Sequence, residues 1–130
     1  MIVLDASAAV HLLLRTDRGA WVEERVFGED RRVPQLFEYE VASALRREAL
    51  RGELAPSRAA TALADLAQLP VTRHSPQPLL ARIWELRGSL TVYDASYVAL
   101  AEALDAPLVT ADVRLARSHG HSAAIEVAPH

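Results

Sequence analysis

Cysteine and lysine are both missing from this 130-residue sequence. Without cysteine there is no disulfide, no thiolate metal site and no sulfur nucleophile. Without lysine, arginine supplies every fixed positive charge, and receiver-like or phosphatase-like sites that place a lysine beside a phosphoryl group are excluded. Glycine is scarce, with five residues. The turn after the first apolar run, Asp5-Ala6-Ser7-Ala8-Ala9, has none, so it offers no glycine-rich phosphate cradle. No apolar stretch approaches the ~20 residues that a membrane helix needs. Met1 to Asp5 is too short, and too soon interrupted by an acid, to read as a secretory signal. The expectation is a cytoplasmic protein with no membrane contact. A formal charge of -3 argues against broad nonspecific binding to nucleic acid. It leaves open a protein that neutralises phosphate locally with arginine and a bound cation.

What is present is apolar material for one core. Hydrophobic residues make up 51% of the chain, and its length fits one domain spanning 1–130. Short β-type runs alternate with longer helical ones. Strands are expected at Ile2–Leu4, in the extended segment Arg32–Leu36, and at Val71–His74, Leu108–Thr110 and Ile125–Val127. Helices are expected over Ala6–Leu14, Trp21–Phe27, Phe37–Leu50, Pro56–Leu69, Leu79–Leu86, Tyr93–Leu104 and Val113–Ser118. In the fourth of these, Leu63 and Leu66 are expected to face inward. This order is that of an α/β sandwich with a mainly parallel sheet. Such sheets bind ligands beyond the carboxyl ends of their strands.

Four acids stand at or near such places. Asp5 and Asp112 each follow an apolar strand and precede a helix, where an N-cap is the purely structural explanation. Asp94 lies three residues after Thr91, the spacing of a capping box. Glu40 falls on or beside the apolar stripe of its helix and must border a cleft or be paired, with Arg46 and Arg47 as candidate partners. Each acid has an ordinary reading, but the set is harder to explain away. Four carboxylates at one rim repel and stay partly protonated unless a cation joins them. Oxygen-only donors in an open cleft suit Mg²⁺, with Mn²⁺ as a substitute.

Four blocks carry a resemblance: Met1-Ile2-Val3-Leu4-Asp5-Ala6-Ser7; Tyr39-Glu40-Val41-Ala42-Ser43-Ala44-Leu45; Tyr93-Asp94-Ala95-Ser96-Tyr97-Val98-Ala99-Leu100; and Thr110-Ala111-Asp112-Val113-Arg114-Leu115. In order and spacing they resemble the signature blocks of PIN-domain ribonucleases, especially the VapC-type toxins of bacterial toxin–antitoxin pairs. The resemblance implies a three-layer α/β/α fold with a central, mainly parallel sheet and Mg²⁺-dependent cleavage of single-stranded or structured RNA. It also implies homodimers and inhibition by a cognate VapB-like antitoxin. It makes Asp5 and Asp94 the principal metal ligands and has Glu40 and Asp112 complete the catalytic set. Ser7 and Thr110 become supporting hydroxyls. One departure is that Arg114 and Arg117 occupy the turn after Asp112, where some relatives carry a further acid. This bears on whether a second metal is held.

Arg46, Arg47, Arg114 and Arg117 are candidate contacts for RNA or the antitoxin, with solvated helix faces as the alternative. His119 and His121 read as loop residues, and His11 as packed or half-exposed. Trp21, Trp84, Tyr93 and Tyr97 are core or dimer-surface candidates. The rival to a toxin nuclease is a free-standing PIN-like module that binds RNA or protein.

Overall fold

The two central strands are short, largely apolar runs buried on both faces, as inner parallel strands are, while the strands outside them carry polar residues and are more exposed. A computed structural model describes residues 1–130. β1 (Ile2–Leu4) leads into α1 (Ala6–Leu14) and α2 (Asp17–Val26), and β2 (Arg31–Pro34) into α3 (Phe37–Leu50) and α4 (Pro56–Gln68). After β3 (Thr72–His74) a 3-10 turn at Gln77–Leu79 runs into α5 (Leu80–Glu85), followed by α6 (Val92–Leu104). β4 (Leu108–Thr110), α7 (Val113–Ala116) and β5 (Ile125–Val127) complete the chain.

All four strand pairings are parallel, in the order β3-β2-β1-β4-β5. The chain therefore moves outward from β1 to β3, returns across the sheet, and moves outward again from β4 to β5. The order reverses between β1 and β4, which makes their carboxyl ends the natural ligand crevice. Helices α1 to α4 pack on one another in one layer, while α5 packs on α6, and α6 lies against β1, β2 and β4. The parallel sheet agrees with the order of elements, and the α/β/α arrangement is the one that the family resemblance implies. Thirty buried apolar residues form one core, to which α6 contributes Ala95, Tyr97, Val98, Ala99, Leu100 and Ala101.

Several boundaries differ from expectation for local reasons. α2 starts at Asp17 rather than Trp21, because the Thr16 side chain caps it by accepting from the Gly19 amide at 3.0 Å. Gly19 has a further role: a Cβ there would lie 2.1 Å from the His11 carbonyl oxygen, so only glycine lets α2 approach α1 this closely. In α4 the inward residues are Ala62 and Leu66, and Leu63 faces solvent, contrary to the pattern reading. The helix expected over Leu79–Leu86 divides into the 3-10 turn and α5, and α7 ends at Ala116 rather than Ser118. No helix is long and apolar enough to cross a membrane.

Candidate active site

Register brings the first acid into place. Leu4 pairs with Val109, so Asp5 lies beside Thr110, and its amide donates to the Val109 carbonyl at 2.9 Å. Asp5 occupies the N-cap position of α1, yet its side chain makes no capping bond. Instead its Oδ2 accepts from the Ser7 hydroxyl and from the fully buried Thr110 hydroxyl, the latter at 2.7 Å. Each hydroxyl is aligned from behind by a backbone amide. Ala111 N–H donates to Ser7 Oγ and Asp112 N–H to Thr110 Oγ1, both at 3.0 Å. The carboxyl end of β4 thus fixes one oxygen of Asp5 and leaves Oδ1 without a hydrogen bond. Burial pushes the Asp5 carboxyl above its ordinary range, and nearby Asp94 and Asp112 add to the rise against the two hydroxyls.

Glu40 lies in the first turn of α3, held there by the buried stripe Phe37, Val41 and Leu45. It forms no ion pair. Arg46 is unpaired, and Arg47 reaches only Ser43, at 3.4 Å, although its charge is felt at Glu40. Burial raises the Glu40 carboxyl, and Asp5 and Asp94 raise it further. Below it is Tyr97, which is fully buried. The Tyr97 hydroxyl faces Glu40 without closing a hydrogen bond of normal geometry. Tyr97 is the member of this site that pattern reading assigned only to a core or a dimer surface. Its signal was its spacing, three residues after Asp94, which puts both on one side of α6.

Asp94 sits where the capping box was expected. Its amide donates to the Thr91 hydroxyl at 3.1 Å, and its half-buried carboxyl is raised by burial and by Asp112. Asp112 differs from the other three. It is the N-cap of α7, accepting from the Arg114 amide at 2.9 Å, and the Arg114 guanidinium grips the same carboxylate. Burial pushes Asp112 up, but the bonds from Arg114 outweigh it and hold the carboxyl below its ordinary range.

Asp5, Glu40, Asp94 and Asp112 line one open cleft of about 380 Å³, with Ser7, His11, Arg47 and Arg114 at its walls. The ring of His11 is tied to Thr16 through Nδ1 at 2.8 Å. Arg117 and His119 fall in a neighbouring hollow that shares Asp94 and Arg114 with the cleft. His121 is tied down in its loop, bonded to Ser118. No three acids or imidazoles draw together closely enough to cage an ion unaided. Mg²⁺ does not require a cage, because it keeps several waters and binds through one or two carboxylates together with substrate phosphate. The residues fit such an ion: a free oxygen on an anchored Asp5, two half-buried acids without ion pairs, an orphaned buried hydroxyl behind them, and oxygen donors throughout.

The sequence and the fold have counterparts. A PIN-domain family model matches residues 2–119. Ribonuclease VapC12 of Mycobacterium tuberculosis is 46% identical over 127 residues, spanning 98% of both chains. The VapC ribonuclease Mb0985 of Mycobacterium bovis is 45% identical over 129 residues, or 99% of each chain. Among solved structures, PAE2754 from Pyrobaculum aerophilum has a TM-score of 0.68 at 35% identity, covering 97% of this chain and 83% of that one. The family match and the fold make this chain a PIN domain. Within that family, the chain belongs to the VapC ribonucleases.

Proposed function

We propose that this chain, acting as one PIN domain, is a Mg²⁺-dependent endoribonuclease that cleaves single-stranded or structured RNA as the toxin of a VapBC-type pair. The observation that carries the reading is Asp5: a buried carboxylate held by two hydroxyls at the β1/β4 switch point, with one oxygen free of hydrogen bonds in a cleft shared with three other acids. Asp5 and Asp94 would hold the ion. When bound, Mg²⁺, for which Mn²⁺ can substitute, supplies a Lewis acid that activates water and offsets charge on the phosphate. Ser7 and Thr110 fix Asp5 Oδ2, so the carboxylate that would hold the ion is set before binding. Glu40, whose proton affinity is raised by its surroundings, is suited to accept a proton from the attacking water. Asp112 completes the acid set, and Arg47 on the cleft wall is placed to meet a backbone phosphate.

The same reading includes a homodimer, a VapB-like antitoxin and a cytoplasmic site of action. Exposed Tyr39 and Tyr93 share an apolar hollow with Leu36 beside Glu40, and exposed Val92 adjoins them in sequence. Apolar surface of this kind supports self-association next to the active site.

The test uses purified protein freed of any partner. Cleavage of total cellular RNA should require Mg²⁺ or Mn²⁺ and stop with EDTA. Asp5→Asn and Asp94→Asn should each reduce cleavage below about one hundredth of the native rate, because each group would hold the ion that activates the nucleophile. Circular dichroism would check that the fold is kept. Native rates in both variants would refute the site. For the toxin role, a short adjacent reading frame for a DNA-binding protein should yield a product that binds this chain and blocks cleavage. No such frame would favour a free-standing PIN module.

A further inference from the structure

Arg114 stands apart from the other arginines around the cleft. Arg46, Arg47 and Arg117 form no ion pair, whereas Arg114 is fastened to a cleft acid by three bonds. Its amide donates to Asp112 Oδ1 at 2.9 Å, its Nε to the same oxygen at 3.3 Å, and its Nη2 to Oδ2 at 2.9 Å. Both oxygens of Asp112 are therefore engaged. The side chain is 85% exposed, yet it lines the acid cleft and its charge reaches Asp94 as well.

An exposed ion pair of this kind contributes only about 0–1 kcal/mol to folding. Its consequence is local charge. A guanidinium is planar, permanently charged and suited to a two-pronged grip on carboxylate, so it keeps its charge beside Asp112 across the working pH range. A divalent ion bridging Asp112 and Asp94 would have to break that grip and then sit beside the displaced positive charge. An ion on the Asp5 side of the cleft, toward Glu40, leaves the Arg114 grip on Asp112 intact.

We propose that Arg114 is the built-in second cation of this site, which holds the Asp112 edge and restricts the cleft to one tightly bound divalent ion. The inference rests on the metal-dependent reading above. It makes Arg114 a positioning residue that acts through Asp112, and it leaves a fixed positive charge where a two-metal site would place its second ion.

The experiment is a titration of the full chain with Mn²⁺, counting free and bound ion by electron paramagnetic resonance. Native protein should bind one Mn²⁺ tightly. Arg114→Gln, which keeps the capping amide, should bind a second with affinity raised about five- to tenfold, as expected for removing a neighbouring like charge. Arg114→Lys, which keeps the charge, should stay at one, and Asp5→Asn should lose the tight ion. Two tight ions in native protein, or an Arg114→Gln curve that overlays the native one, would overturn the proposal while leaving the metal reading standing. No Mn²⁺ bound by native protein and Arg114→Gln alike would overturn the metal reading and this inference with it.

Discussion

Asp5 is buried, its carboxyl is pushed up by that burial, and two hydroxyls oppose the rise. Thr110 is the more demanding of the two, because it is fully buried and links Asp5 to the Asp112 amide. Thr110→Val keeps the shape and removes the donor. Cleavage should fall about 10- to 100-fold, the usual range for losing a group that orients a metal ligand, and steady-state kinetics would measure it. A second expectation concerns protons. The carboxyls of Asp5, Glu40 and Asp94 are all raised in the folded protein. The folded chain therefore holds their protons at pH values where the unfolded chain has lost them. The resulting stability is full below the unfolded carboxylate range and is lost as pH rises through the folded values. A divalent ion binds the deprotonated acids. The rise in Tm on adding Mg²⁺ should thus be larger near about pH 7.5 than near about pH 4.5, where protons compete with the ion. Thermal melts with Mg²⁺ or EDTA at both pH values would show this, and equal rises would remove the cleft acids as the ligands. Glu102 behaves oppositely. Its bonds from Arg82 lower it to about 2, so its contribution is present above the unfolded value and lost only as pH falls through that range.

At the scale of elements, the site depends on where helices begin. α3 starts at Phe37 because the buried stripe does, and that start puts Glu40 in the first turn facing the crevice. α6 starts at Val92 because Thr91 caps it, and that cap sets the height of Asp94 above β4. The α1–α2 contact holds the far side of the Asp5 helix. Gly19→Ala would drive a methyl group into the His11 carbonyl and force α2 away from α1. Overpacking of this kind costs about 1–3 kcal/mol, so chemical denaturation should show a loss of that size. An unchanged midpoint would mean that the two helices separate freely. The two central strands left little room for error in the sequence reading, since Ile2–Leu4 and Leu108–Thr110 are short, largely apolar runs between turn signals with few alternatives. The helices at Asp17 and Leu80 were read less well. The first opens on polar residues whose capping role depends on a backbone turn, and the second is preceded by a 3-10 turn in which Pro76 and Pro78 stand.

For the whole molecule, the decisive event is the reversal of strand order between β1 and β4. It brings together Asp5 and Thr110, which are 105 residues apart. It also leaves the mouth of the cleft bordered by exposed aromatic residues, Tyr39 and Tyr93. If that border is the self-association surface, replacing both with Glu should shift the protein toward monomer in sedimentation velocity and leave each subunit folded. Charged residues are depleted from the buried centres of such contacts. A native sedimentation profile for the double variant would move the contact to another face.

The sequence by itself determined the chemistry on offer: four acids at strand ends and helix starts, arginine as the sole fixed cation, no thiol, and an alternation of strands and helices that permits few folds. It did so because period, capping and composition are local properties. Only the tertiary structure decided how those acids differ. It left Asp5 uncapped and gave its oxygen to Ser7 and Thr110, left Glu40 unpaired above the Tyr97 hydroxyl, and bound Asp112 to Arg114. Pattern shows which face a side chain occupies but not which group meets it there. Three of those outcomes depend on parallel pairing, burial and helix packing between segments far apart in the chain. The fourth, Arg114 on Asp112, is close in sequence, yet it matters because of the acids that the fold sets around it.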